Sequence, residues 1–149
     1  VRYDFVIIGA GPAGEAAAYL ARARGASVAV VDRDLFGGSC PHWGCVPSKS
    51  LLNSASRRAC GDDYPWTRAS DRRDYMINRV GLDYPDDGGH VRGLQAAGAE
   101  TVRGAARLDG PGRVAVAPAE GGAERVLDAA NVVIAVGSIS KRPPIEGLD

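Results

Sequence analysis

The sequence predicts an α/β fold: a central parallel sheet flanked by helices, followed by a small antiparallel β-meander. Three observations predict it. Residues 3–32 run strand, glycine turn, helix, strand, which makes a βαβ unit with parallel strands. From residue 100 onward the texture changes to short strand-like runs parted by glycine-rich turns. The composition is 45% apolar and 24% charged over 149 residues, which suits a single globular domain, residues 1–149.

Each element has a local reason. Tyr3–Ile8 (YDFVII) is a β-branched and aromatic run that reads as a buried strand. After the glycine turn, Glu15–Arg24 has the alanine-rich composition of a helix, and Gly25 ends it in the C′ role. Ser27–Val31 (SVAVV) is a second buried strand leading to Asp32. Asp34–Pro47 reads as a loop, Ser48–Ala59 as a helix, and Gly61–Arg68 as a turn-rich stretch. Asp71–Val80 and His90–Ala97 are two further helices. Glu100–Arg103, Ala105–Leu108, Arg113–Ala117 and Arg125–Leu127 are short strands, and Asn131–Val136 is a last apolar one. Ser138–Asp149, with Pro143 and Pro144, reads as a linker.

Charge and hydropathy exclude several classes. Eighteen basic and eighteen acidic side chains cancel, so nothing points to nucleic acid or a membrane surface. No apolar run approaches the roughly 18 residues of a membrane span, and no basic stretch precedes an apolar one as in a signal peptide. The expected compartment is the cytoplasm, where three cysteines read as catalytic, metal-binding or incidental rather than as a scaffold. Glycine is abundant, 20 of 149, as tight turns and close backbone approach to a ligand require.

The first chemical motif is Gly9-x-Gly11-x-x-Gly14 between strand and helix. Gly9 permits the sharp turn, Gly11 lets backbone approach a pyrophosphate, and Gly14 lets helix and strand pack closely. The helix N-terminus offers unpaired N–H groups and a positive dipole end to phosphates. Asp32, ending the next strand, is placed to accept hydrogen bonds from ribose hydroxyls. Strand, helix, second strand and acid in register favour a dinucleotide site over a chance glycine turn. The fingerprint alone does not separate NAD from FAD.

The second motif is the stretch Gly37-Gly38-Ser39-Cys40-Pro41-His42-Trp43-Gly44-Cys45-Val46-Pro47-Ser48-Lys49. Two cysteines can be bridged only if their Cα atoms come within about 7 Å. A straight helix would separate these by about 7.5 Å along its axis, and the intervening Pro and Gly could supply the bend a bridge requires. A bridge closing so small a loop is a poor staple and a good exchange centre. Three readings meet here. Cys40, His42 and Cys45 form an incomplete metal set with no fourth ligand nearby, and no metal site is expected. The cysteines are otherwise reduced bystanders or a redox dithiol, and the dithiol is the favoured reading.

These residues resemble the redox-active motif of the flavin-dependent pyridine nucleotide–disulfide oxidoreductases, the family of dihydrolipoamide dehydrogenase, glutathione reductase and mercuric reductase. The glycine turn resembles that family's FAD fingerprint. Arg103–Leu108 with Gly112-Arg113-Val114 resembles its adenine-side segment, and Asn131–Ser138 with Pro143, Ile145 and Gly147 resembles its second flavin motif. The resemblance implies a Rossmann-like FAD-binding domain. It also implies electron transfer between NAD(P)H, FAD and a Cys40–Cys45 disulfide, with a small-molecule or protein-bound disulfide or dithiol as substrate. Cys40 would be the interchange thiol, Cys45 the thiolate against the flavin, and Lys49 a third catalytic residue whose charge favours that thiolate. FAD contacts would come from Gly9, Gly11, Pro12, Ala13 and Gly14, then from Asp32 and Arg33. Gly38, Ser39, Cys45 and Lys49 would follow, then Gly104, Ala105 and Ala106, then Ala135, Val136, Gly137 and Ser138.

The sequence departs from the family pattern at several points. Ser39 stands for the common Thr, His42 for Asn, Asp32 for Glu, and Val136 for the Thr of the second motif. His42 and Trp43 between the cysteines leave the substrate open. His42 reads either as a residue packed beside the motif or as a base for a thiol. Cys60 reads as a small helix residue. The resemblance further implies that residues 1–149 are the N-terminal part of an FAD domain. The NAD(P)H and interface domains, and with them homodimer formation, would lie outside this chain. An FAD-binding module without turnover and a flavin-independent dithiol switch are the alternatives.

Overall fold

The computed structural model describes residues 2–139 and 143–147; part of the predicted linker, residues 140–142 and 148–149, lies outside the described residues. Among the described residues five strands and five helices follow in the order β1 (Arg2–Ile8), α1 (Pro12–Ala23), β2 (Val28–Asp32), α2 (Ser39–His42), α3 (Cys45–Ala59), α4 (Trp66–Met76), α5 (Gly88–Ala96), β3 (Glu100–Leu108), β4 (Arg113–Pro118) and β5 (Arg125–Ile134). Among them no helix is long and apolar enough to cross a membrane.

The expected βαβ start is present. β1 and β2 pair in parallel with Ile8 opposite Val31. α1 opens on Gly11, has Pro12 where a missing N–H costs nothing, and ends before Gly25 at φ +82°. β1 also pairs in parallel with β5, and β2 with β3. The expectation of a parallel sheet with a separate meander needs correction: β4 pairs antiparallel with both β3 and β5 and closes a mixed ring, β1-β2-β3-β4-β5.

Two long strands make the closure, where four short ones were expected. β3 pairs with β2 through Arg103, opposite Asp32, and with β4 from Gly104, opposite Pro118. Gly104 does not break the strand. A Cβ there would overlap the Ala117 carbonyl, so glycine lets β3 pass close to β4 as it leaves β2. β5 changes partner at Asp128, which faces Arg113 of β4 and Arg2 of β1. The Ala129 N–H donates to the Gly112 carbonyl at 2.7 Å, carrying the strand across residues read as a gap.

Side chains alternate between two cores. Val6, Ala29, Val31, Val114, Val116 and Leu127 fill the ring interior. Ile7, Val28 and Val30 point outward to Ala18 of α1 and Leu94 of α5. β2 is buried on both faces, which is why it reads as an unbroken apolar run.

Helix limits shift where tertiary contacts outweigh composition. α3 begins at Cys45 rather than Ser48. α4 begins at Trp66, with Ala69 buried and Arg68 4.6 Å over the Tyr64 ring. It stops before Asn78, which adopts φ +53°.

At the far end of the ring the Tyr3 hydroxyl donates to Glu100, and Arg125 pairs with the same carboxylate at 2.7 Å, tying β1, β3 and β5. The Tyr3 bond, with help from Arg125, holds the Glu100 carboxyl below its ordinary value. A lowered folded pKa contributes stability above the unfolded value, about 4.5, that is lost as pH falls through the folded one. Glu100→Gln should therefore lower the urea midpoint at pH 7 and bring it close to wild type in acid. An equal loss at both pH values would contradict the linkage.

Candidate functional site

The glycine turn is built by close backbone packing. Gly9 has φ +103°, and a Cβ on it would overlap the Ala135 carbonyl. A Cβ on Gly14 would overlap the Gly9 carbonyl, so α1 lies tight against the turn only because residue 14 has no side chain. The Gly38 Cβ position is 2.6 Å from Gly11 Cα, and the Gly37 N–H donates to the Ala10 carbonyl at 2.7 Å. The cysteine loop is thus laid directly on the glycine turn.

Four predicted segments meet at one edge of the ring. Pro12 and Ala13 begin α1, which no side chain caps, leaving first-turn N–H groups free for an anion. Gly11 has open space above it, with only Gly38 Cα near, at 3.9 Å. Asp32 ends β2; its carboxylate accepts the Ala10 N–H at 2.7 Å and the Asp34 N–H at 2.9 Å. Each oxygen keeps a lone pair for another donor. Gly104, Ala105 and Ala106 run past the end of β2, and Arg33 is exposed beside them. Ala135 is held by its N–H to the Ile8 carbonyl at 2.7 Å, and Val136, Gly137 and Ser138 continue outward exposed. Strand C-terminal ends beside an uncapped helix N-terminus form the kind of crevice in which open α/β sheets bind ligands.

The cysteine loop is not wholly irregular, as the sequence suggested. α2 carries Ser39 and Cys40, and the chain then reverses: the Trp43 and Gly44 N–H groups both donate to the Ser39 carbonyl, at 2.9 and 2.7 Å. Gly44 packs 3.8 Å from Cys40 Cα through its Cβ position, and α3 starts at Cys45. This reversal brings the start of α3 back toward Cys40. Hydrogen bonding of Cys40 to Cys45, then burial, pushes the Cys40 thiol up, while the Lys49 charge pulls it down. Cys40 is half-buried, and Cys45 and Lys49 are exposed. Cys60 caps the end of α3 and is exposed.

His42 turns away from the thiols. The residue is 2% exposed, with Nε2 2.9 Å from the Phe36 carbonyl and Nδ1 without a partner among the described residues. A carbonyl only accepts, so Nε2 carries the proton. Of the two readings of His42, the geometry gives the packed one. No group of three or more metal-ligating side chains forms among the described residues. Trp43 is exposed, edge-on to Tyr84 at 5.2 Å.

Sequence reasoning missed the support behind this loop. Asp87, buried, accepts the Phe36 N–H at 2.7 Å and pairs with Arg103 at 2.6 Å. His90 pairs with Glu15 at 2.8 Å and meets the His42 ring at 5.4 Å. These partners are up to 75 residues apart and no local pattern announces them.

The family model described as pyridine nucleotide-disulphide oxidoreductase matches residues 3–149. Dihydrolipoyl dehydrogenase 3 of Pseudomonas aeruginosa is 36% identical over 91% of the chain and 31% of that protein. Mercuric reductase of Streptomyces lividans is 35% identical over 99% of the chain and 32% of that protein. A Cu(II) complex of a mutant HOCl-induced flavoprotein disulfide reductase from Escherichia coli shares the fold, with a TM-score of 0.81 at 24% identity. It covers 97% of this chain and 30% of that one. The chain thus spans about a third of the length of the relatives it matches.

Proposed function

The chain belongs to the pyridine nucleotide-disulphide oxidoreductase family, and from that premise we propose that it is the FAD-binding, dithiol-bearing part of an NAD(P)H:disulfide oxidoreductase. On this reading residues 1–149 form the N-terminal part of a Rossmann-like FAD domain in a cytoplasmic protein. NAD(P)H binding and pairing of two copies then fall to other parts of the protein. The observation that supports the proposal is the loop bearing Cys40 and Cys45, which reverses at Gly44 and packs directly onto the glycine turn.

The residues fit FAD. The open Gly11, the uncapped start of α1 and the free lone pairs of Asp32 suit pyrophosphate and ribose in the order the chain presents them. FAD, when bound, supplies the two electrons, drawn from NAD(P)H, that return the Cys40–Cys45 disulfide to the dithiol. The chain's own chemistry is exchange. The Cys40 thiolate attacks one sulfur of a substrate disulfide, forming a mixed disulfide and releasing one substrate thiolate. The Cys45 thiolate then attacks the Cys40 sulfur, closing the Cys40–Cys45 bond and releasing the second. Lys49 favours thiolate at this turn by its charge. A dihydrolipoamide-type dithiol would run the same steps in reverse.

The test is a visible spectrum of the protein with FAD, before and after anaerobic reduction by a dithiol. Flavin bands with a new long-wavelength shoulder on reduction are expected, because on this reading the Cys45 thiolate would lie against the bound flavin. Bands without that shoulder would leave an FAD-binding module, and loss of all flavin on desalting would overturn the reading.

A further inference from the structure

The cysteine turn is gripped from behind through one peptide group. The Phe36 carbonyl accepts the His42 Nε2–H at 2.9 Å, and the Phe36 N–H donates to Asp87 Oδ2 at 2.7 Å. Asp87 is itself held by Arg103 at 2.6 Å, whose guanidinium lies 5.1 Å over the Phe36 ring and also donates to the Asp34 carbonyl. Phe36 is 1% exposed, so neither side of this peptide has water to fall back on. The next two residues, Gly37 and Gly38, are those laid on Ala10 and Gly11 of the glycine turn.

His42 is wedged as well as bonded. The His90 ring meets it edge-on at 5.4 Å, and the same ring stands 2.7 Å from where a Gly37 Cβ would lie. Glu15 of α1 holds His90 through Nδ1 at 2.8 Å. With Nε2 bonded to Phe36 and Nδ1 without a partner among the described residues, neither ring nitrogen is bonded to a thiol. What it contributes is place: it sits two residues after Cys40 and three before Cys45, on the inner side of the reversal.

We propose that His42 is the positioning residue of the dithiol, its Nε2–H bond to the Phe36 carbonyl pinning α2 to the loop on the glycine turn and so holding Cys40 against Cys45. The inference rests on the reading of these cysteines as a redox pair. Two thiols held in contact have a high effective concentration, which favours their intramolecular disulfide over mixed disulfides. Releasing α2 lowers it.

The test equilibrates the protein, in a Cys60→Ser background, with glutathione buffers of varied ratio. Protein dithiol plus oxidised glutathione gives protein disulfide plus two reduced glutathiones, and mass spectrometry of the alkylated protein gives the equilibrium constant. His42→Leu keeps the bulk and removes the donor. It should lower the constant by about 10-fold, the scale of one buried hydrogen bond lost with its acceptor stranded. His42→Gln, which carries an N–H at similar reach, should return it to within about threefold of wild type on the same scale. Asp87→Asn loosens the grip from the other side and should shift the constant in the same direction; it carries the test if His42→Leu does not fold. Leu or Asn variants within error of wild type would overturn the proposal, as would a Gln variant as low as Leu. A wild-type protein that forms no Cys40–Cys45 disulfide would instead overturn the redox reading, and the proposal with it.

Discussion

Gly14→Ala should destabilise this protein strongly while leaving it folded. The added Cβ would lie inside the Gly9 carbonyl, which is backbone and has no rotamer through which to escape. Gly9 cannot retreat either, because it is pressed on Ala135 and held at φ +103°. α1 must therefore lift from β1, opening the contact of Ala18 with Ile7 and Val30 in the outer core. Overpacking of this kind costs about 1–3 kcal/mol, a large share of the 5–15 kcal/mol of a typical domain. Gly25→Ala, at the other end of α1, is the control. Gly25 has φ +82° but open space around it, so only backbone strain is added, about 1 kcal/mol. Urea denaturation followed by circular dichroism checks both. Equal effects of the two would refute the close-packing account. The displaced turn should also lose FAD, so Gly14→Ala protein should emerge from desalting without flavin bands.

Cys45→Ala should leave FAD binding intact and abolish dithiol chemistry. Without Cys45 no second thiolate exists to resolve the mixed disulfide, so disulfide reduction in the whole protein should fall by roughly 10³-fold or more. The long-wavelength shoulder should vanish while the main flavin bands remain. The remaining thiol reports on the same contact. Hydrogen bonding to Cys45 is the largest influence raising the Cys40 pKa, and it favours the protonated form. Removing it, with Lys49 still nearby, should let Cys40 ionise at lower pH than in the reduced parent. The pH midpoint of Cys40 alkylation, followed by peptide mass mapping, measures this. A midpoint that stays put or rises would show that the thiols are not in contact.

The first part of the fold was legible because its signals are local. A β-branched run, three spaced glycines, an alanine-rich helix and a second apolar run each act within a few residues. Together they leave one arrangement for residues 3–32. The cysteine motif was legible as chemistry for the same reason, being one short stretch with its own spacing. Helix limits were less so: α4 starts at Trp66 because Ala69 is buried and Arg68 stacks on Tyr64, contacts that composition does not reveal.

By itself, then, the sequence determined the βαβ unit, the phosphate-ready turn and a cysteine pair needing a bend between its members. Tertiary structure decided how the ring closes and what stands behind the dithiol. Gly104 reads as a strand end until β4 is seen lying against it, and Asp128 falls between two predicted strands until β1 and β4 are seen to share it. His42 reads more often as packing than as a base, and that reading is decided only when Phe36, Asp87 and Arg103 are in place. The physical reason is common to all three. Each side chain or backbone group takes its role from a partner that the fold alone brings near, and a buried polar group accepts whichever partner that is.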